Sequence, residues 1–215
     1  MLDRNAMRVF VALDLEDEIR KNIARFVDEV RAFAPRVRWI GPEALHVTLK
    51  FIGDKPDSFV AEIEQALRSI RATPSGLRFR GVGFFPTPQA ARVFWVGIEA
   101  DSALGQLASS IEDVLAKIGI AKEQRAFSPH LTLARASGAR VGSGSGAPGW
   151  RKSDRVNRQF AMLQEKLSEH PAPDFGTMSA REFFLYRSQL SSKGSRYTKI
   201  ARFELQSFVE IAPDI

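Results

Sequence analysis

Cysteine is absent from this 215-residue chain, which excludes disulfides, thiolate nucleophiles and zinc sites of the cysteine type. That absence is compatible with a reducing compartment, and a cytoplasmic location is the expectation. No apolar run approaches the ~18 residues of a membrane span. The first seven residues carry Asp3, Arg4 and Asn5 where a secretory signal would begin its apolar stretch. A soluble chain with no membrane partner is therefore expected. Histidine is scarce, with three in all. They form neither HxH nor HxxxH and have no acidic cluster beside them, so neither a metal nor another cofactor is expected. Acids are scarce in one place: between Arg181 and Arg202 the basic residues Arg181, Arg187, Lys193, Arg196, Lys199 and Arg202 meet only Glu182. With a net charge of +6, this distribution favours an anionic ligand, phosphate first.

At 44% hydrophobic residues, the chain has the means to bury one substantial core or two small lobes. Residues 8–15 are β-branched and aromatic enough for a buried strand. Ile19, Ile23, Phe26, Val27, Val30 and Phe33 recur at helical spacing until Pro35. A short strand over 37–40, a strand over 45–52, a helix from about Pro56 with Phe59, Ile63, Leu67 and Ile70 on one face, and a strand over 77–85 follow. Residues 92–98 form another strand, and Leu104, Leu107, Ile111, Val114, Leu115 and Ile118 mark another helix. Residues 136–154 are rich in Gly and Ser and read as a flexible loop or lid carrying Arg140, Arg151 and Lys152. A last helix holds Val156, Phe160, Leu163 and Leu167, and strands over 178–188 and 197–208 form a hairpin.

Two of the three histidines share one frame: His46-Val47-Thr48-Leu49 returns as His130-Leu131-Thr132-Leu133. The offset is 84 positions, and Arg92-Val93-Phe94 follows Arg8-Val9-Phe10 by the same 84. An internal duplication is the simplest reading, with two pseudo-equivalent lobes and both motif strands at one central cleft. In a strand the side-chain period is two, so each His shares a face with its Thr while the apolar residues point into the core.

Two imidazoles facing one anion suit acid–base cleavage of a phosphodiester: one takes a proton from the nucleophile as the other gives one to the leaving oxygen. Thr48 and Thr132 are placed to donate hydrogen bonds to the phosphoryl oxygens. Lys50 has the parity to sit beside His46 and Thr48, or to be a solvated strand-end residue. Phe10 and Tyr197 are candidates to stack a base, or core aromatics. His170, beside Pro171 at a helix end, is accounted for by the helix dipole.

The motifs HVTL and HLTL, with RVFVALDL, VRWIGPEALHVTLKFIGD, RVFWVGI, FSPHLTLAR and FFLYRSQLSSKGSRYTKIARFEL around them, resemble the two-histidine phosphoesterases. Among these the chain is most similar to the bacterial and archaeal RNA 2′,3′-cyclic phosphodiesterases, historically called 2′-5′ RNA ligases. The resemblance covers nearly all of residues 1–215. It implies an α+β, bilobal domain of two pseudo-symmetric antiparallel sheets backed by helices, with both HxTx motifs in a central cleft. It implies hydrolysis of a terminal 2′,3′-cyclic phosphate of RNA or an oligonucleotide to a 2′-phosphomonoester by a monomer. His130 is then the base and His46 the acid, although quasi-symmetry leaves the reverse open. It makes Arg135 a phosphate or base contact, yet strand parity turns residue 135 away from His130 unless the strand ends or twists. The alternatives are activity on 2′-5′-linked oligonucleotides, ligation, an ADP-ribose cyclic phosphate as substrate, or an RNA-end binding module without turnover.

Overall fold

The computed structural model describes residues 6–137, 158–191 and 194–206. The expected Gly/Ser-rich loop lies, from residue 138 to 154, outside them, as does Val156. Among the described residues nine strands form one antiparallel sheet: β1 (Ala6–Leu13), β2 (Arg38–Trp39), β3 (Val47–Pro56), β4 (Ser75–Phe85), β5 (Val93–Ala100), β6 (His130–Arg135), β7 (Asp174–Ala180), β8 (Glu182–Ser191) and β9 (Gly194–Glu204). The order is β7-β4-β5-β6-β3-β1-β8-β9, with β2 alongside β6. The fold is therefore α+β, and the two expected sheets are two halves of one curled sheet. Their seam is a single residue pair, Val47 with Leu131.

The second layer is supplied by the helices α1 (Asp17–Val30), α2 (Asp57–Arg68), α3 (Ser102–Lys117) and α4 (Ala161–Ser168). Their apolar stripes are what the sequence spacing requires. Ile19, Ile23, Val27 and Val30 of α1, Val60, Ile63 and Leu67 of α2, and Leu104, Leu107, Ile111 and Leu115 of α3 are all buried. Each such side chain contributes about 1.5–3 kcal/mol on leaving water. Helix α1 docks on β7, where the Asn22 side-chain amide donates to the Phe175 carbonyl at 2.9 Å. Gly176, at φ +104°, allows that approach, since a Cβ there would stand 3.2 Å from the Ile19 methyl. Helix α3 is capped by Asp101, whose carboxylate accepts from Ala103 N–H, the Ser75 hydroxyl and Gly76 N–H.

Three local expectations are corrected. The strand placed over 178–188 is two strands, β7 and β8, parted at Arg181. The match between Arg8-Val9-Phe10 and Arg92-Val93-Phe94 does not survive in the register. Ala12 pairs with Thr48 and Trp95 with Thr132, so these strands correspond with an offset one shorter than that of the motifs. Phe94 accordingly lies in the main core, whereas Phe10 lies on the opposite face of the sheet with Ala12, Phe184 and Tyr186.

The third correction concerns Lys50 and comes from two β-bulges. Along β1 the pairing steps from Val11–Lys50 to Ala12–Thr48 and skips Leu49. Along β5 it steps from Phe94–Ala134 to Trp95–Thr132 and skips Leu133. The extra residue falls at the same place in both motifs, directly after the Thr-containing triplet, and reverses the alternation beyond it. Leu49 and Lys50 are therefore both buried, as are Leu133 and Ala134. Lys50 points into the protein. Its ammonium donates to Glu112 and to the Ala121 carbonyl, each at 2.8 Å.

Candidate active site

The pair Val47–Leu131 fixes how the motifs meet. In antiparallel register about that pair, His46 stands across from Thr132 and Thr48 across from His130, all on the face away from the helices. Each histidine thus faces the hydroxyl of the other motif. Neither threonine hydroxyl has a protein partner among the described residues, so both remain available to an added oxygen acceptor.

Both rings are held in the same way. Nδ1 of His46 is 2.8 Å from the Ala44 carbonyl, and Nδ1 of His130 is 2.9 Å from the Ser128 carbonyl. A carbonyl only accepts, so each Nδ1 carries the proton and donates it, leaving Nε2 as the working nitrogen. The carbonyl of Ala44 belongs to a 3-10 turn over Pro42–Ala44 that the Arg20 guanidinium clamps from below. Arg20 donates to the Pro42 carbonyl at 2.5 Å, to the Leu45 carbonyl at 3.4 Å, and to Asp14 at 2.5 Å. Asp14 in turn pairs with Lys199 on β9 at 2.5 Å.

Aromatic rings wall each histidine. The Phe10 ring lies 4.8 Å from that of His46 and Tyr197 lies 5.0 Å from it edge-on, while Tyr186 stacks on Phe10 at 5.1 Å. Phe10 is buried, so it forms the floor beside His46, and Tyr197 is half-buried at its side. On the other half, Phe85 meets His130 edge-on at 5.1 Å and stacks on Trp95 at 4.9 Å. The Trp95 ring lies against Gly83, where a Cβ would come within 2.3 Å of Cζ2. Its buried Nε1–H has no partner among the described residues.

The bulge in β6 answers the parity objection to Arg135. Ala134 takes the core position, and Arg135 turns back to the face of His130 and Thr132. Its guanidinium acts on both imidazoles and lowers the pKa of each. Burial is the larger cause: it pushes His46 down to about 4, against an upward pull from the Ala44 carbonyl and Asp14. His130 is also lowered, by burial first and then by Arg135, with the Ser128 carbonyl opposing. Burial and the neighbouring Arg38 lower Arg135 itself. Among the described residues no acid pairs with Arg135. At neutral pH the site therefore presents two neutral imidazoles, two hydroxyls and the Arg135 cation with no acidic partner among the described residues, an arrangement that attracts an anion.

Of the expected site residues, His46, Thr48, His130, Thr132, Arg135, Phe10 and Tyr197 lie together. Lys50 does not join them. Sequence reasoning missed Phe85, Trp95 and Tyr186, which read as ordinary strand aromatics, and also Arg20 and Arg38.

Residues 13–95 match the sequence profile described as LigT like phosphoesterase. The chain is also 33% identical over 198 residues to the RNA 2′,3′-cyclic phosphodiesterase of Archaeoglobus fulgidus, spanning 92% of this chain and all of that protein. The chain belongs to the LigT-like phosphoesterase family. The profile match ends before the second motif, but the whole-length alignment to that relative extends across nearly all of this phosphoesterase. It is 32% identical over 201 residues to the RNA 2′,3′-cyclic phosphodiesterase of Methanothermobacter thermautotrophicus, spanning 93% and 99% of the two chains. The crystal structure of E. coli LigT complexed with 3′-AMP matches this LigT-like fold with a TM-score of 0.70 at 25% identity, over 94% of this chain and 99% of that one.

Proposed function

We propose that this phosphoesterase hydrolyses RNA 2′,3′-cyclic phosphate ends to 2′-phosphomonoesters, without a metal, by acid–base chemistry of His46 and His130. The observation that carries the reading is the pair of imidazoles with Nδ1 tethered to a carbonyl, each across from a free threonine hydroxyl, with Arg135 unpaired beside both. The names of the two archaeal relatives supply the substrate class.

In this mechanism the phosphodiester anion settles against Arg135, Thr48 and Thr132. Nε2 of His130 takes a proton from water as the water oxygen bonds to phosphorus. The bond from phosphorus to the 3′-oxygen breaks, and Nε2–H of His46 protonates that oxygen, leaving the phosphate on the 2′-oxygen. Charge building on the non-bridging oxygens is met by the two hydroxyls and the guanidinium, donors fixed in place before reaction. Burial keeps His46 deprotonated at neutral pH. The bound anion offsets Arg135 and raises the imidazole pKa, so substrate brings His46 into its acid form. Because the two halves present the same groups, turning the substrate end for end exchanges the roles. The protein is expected to act as a monomer in the cytoplasm.

The test is turnover of a nucleoside 2′,3′-cyclic phosphate in excess EDTA, with the position of the product phosphate read by ³¹P NMR. His46→Ala and His130→Ala should each reduce kcat by at least about 100-fold. Full activity in either variant rules out the mechanism. Tight binding with no turnover by the wild type would make the protein an RNA-end binding module instead.

A further inference from the structure

Strand β2 is two residues long, yet it is fastened on every side. Trp39 packs edge-on against Phe94 at 5.9 Å and its Nε1–H donates to the Ala34 carbonyl at 3.3 Å. Ile40 N–H donates to the Leu133 carbonyl at 2.8 Å, and the Ser137 hydroxyl donates to the Arg36 carbonyl. With Trp39 committed to the core, alternation turns Arg38 to the other face. In the register of β2 on β6, Trp39 pairs with Ala134 and Arg38 pairs with Arg135.

Directly paired residues of an antiparallel ladder share a face, so two guanidinium groups emerge side by side from strands about 4.8 Å apart. Like charges in this position repel, and Arg38 indeed lowers the pKa of Arg135. Among the described residues neither has an acidic partner. Arg135 lies at the histidines, and Arg38 is exposed beside it on the edge of β6 that β3 also pairs with. This pair of cations, one at the histidines and the other on the neighbouring strand, offers a contact to a second phosphate of the nucleic-acid strand whose terminal phosphate Arg135 meets.

On the footing of the reading above, we infer that Arg38 is a second phosphate subsite. It takes the phosphodiester on the 5′ side of the terminal nucleotide, and it makes the enzyme prefer an RNA end over a mononucleotide. Contacts of this kind position the chain without reading its sequence. Binding energy from this remote phosphate is then available to hold the cyclic phosphate against the histidines.

The experiment compares wild type, Arg38→Gln and Arg38→Lys on two substrates: a nucleoside 2′,3′-cyclic phosphate, and a trinucleotide ending in the same cyclic phosphate. Wild type should favour the trinucleotide in kcat/KM. In Arg38→Gln the loss on the trinucleotide should exceed that on the mononucleotide about tenfold and fall in KM, and Arg38→Lys should restore most of it. The salt dependence of trinucleotide binding should also weaken by about 0.7 in log–log slope, the value of one phosphate contact on a single strand. Equal losses on the two substrates, or no loss on either, overturn the subsite while leaving the phosphodiesterase reading intact. No wild-type turnover of either substrate overturns both. Since Arg38 is exposed and paired only through its backbone, circular dichroism should report an unchanged fold in both variants.

Discussion

The depressed pKa of His46 makes one ring an identifiable contributor to the acid sensitivity of the folded protein. An ordinary histidine titrates near 6.5, and burial holds this one at about 4. Between those values the unfolded chain binds a proton that the folded chain refuses. Stability is therefore present in full above pH 6.5 and is lost as pH falls toward 4. One pKa unit is 1.36 kcal/mol, so at pH 4.5 the cost is about 2 kcal/mol after a reduction for the partly exposed ring. Replacing His46 with Gln keeps a polar side chain but removes the titration. The assay is urea unfolding of wild type and His46→Gln at pH 7 and pH 4.5. Carboxylates such as Asp14, which also favours its charged form, weaken both proteins alike on acidification. The wild type should lose about 2 kcal/mol more than the variant over this interval. Equal losses would mean that His46 titrates normally, and the electrostatic account of the site would fall with it.

Three further outcomes follow from the same geometry. The pH profile of kcat/KM should peak below pH 6.5, because both histidines titrate low in the free enzyme, and the kcat profile should lie at higher pH, because the bound anion raises them; coincident profiles near 6.5 or above would contradict this. Arg20→Met should free the turn over Pro42–Ala44 and reduce kcat about tenfold with a smaller change in KM, while the ¹⁵N shifts of His46 move and those of His130 stay. Lys50→Ala should cost about 3–5 kcal/mol in urea unfolding by leaving Glu112 and the Ala121 carbonyl without their cation, and Lys50→Met with Glu112→Leu should recover part of that loss.

The motifs, the strand around each, and the helix stripes were legible in the sequence because they rest on local periodicity. The two bulges were not. Nothing in Thr-Leu-Lys or Thr-Leu-Ala marks an extra residue, since a bulge is a relation between strands and its partners here lie on β1 and β5. Those two hidden steps sent Lys50 to Glu112, 62 positions along the chain, and brought Arg135 to the histidines. The Arg-Val-Phe match misled for the same reason: identical letters in strands of opposite parity put Phe10 beside His46 and Phe94 in the core. Phe85, Trp95 and Tyr186 carry no sequence mark that separates a wall of the site from a core aromatic. Arg38 was hidden by the brevity of its strand.

The route of the chain through the sheet has a kinetic consequence. Strand β1 pairs with β8, joining Arg8 to Ser188, and β4 pairs with β7, joining Ser75 to Ala180. Each half of the sheet is thus finished by strands from the last quarter of the sequence, and Tyr186 and Tyr197 reach His46 only with them. Such distant pairings make for slow folding. On the ribosome, both motifs emerge well before Tyr186 and Tyr197 do. A nascent chain truncated after Arg135 therefore carries every proton-transfer group and no finished site, so activity should switch on only when the C-terminal hairpin docks.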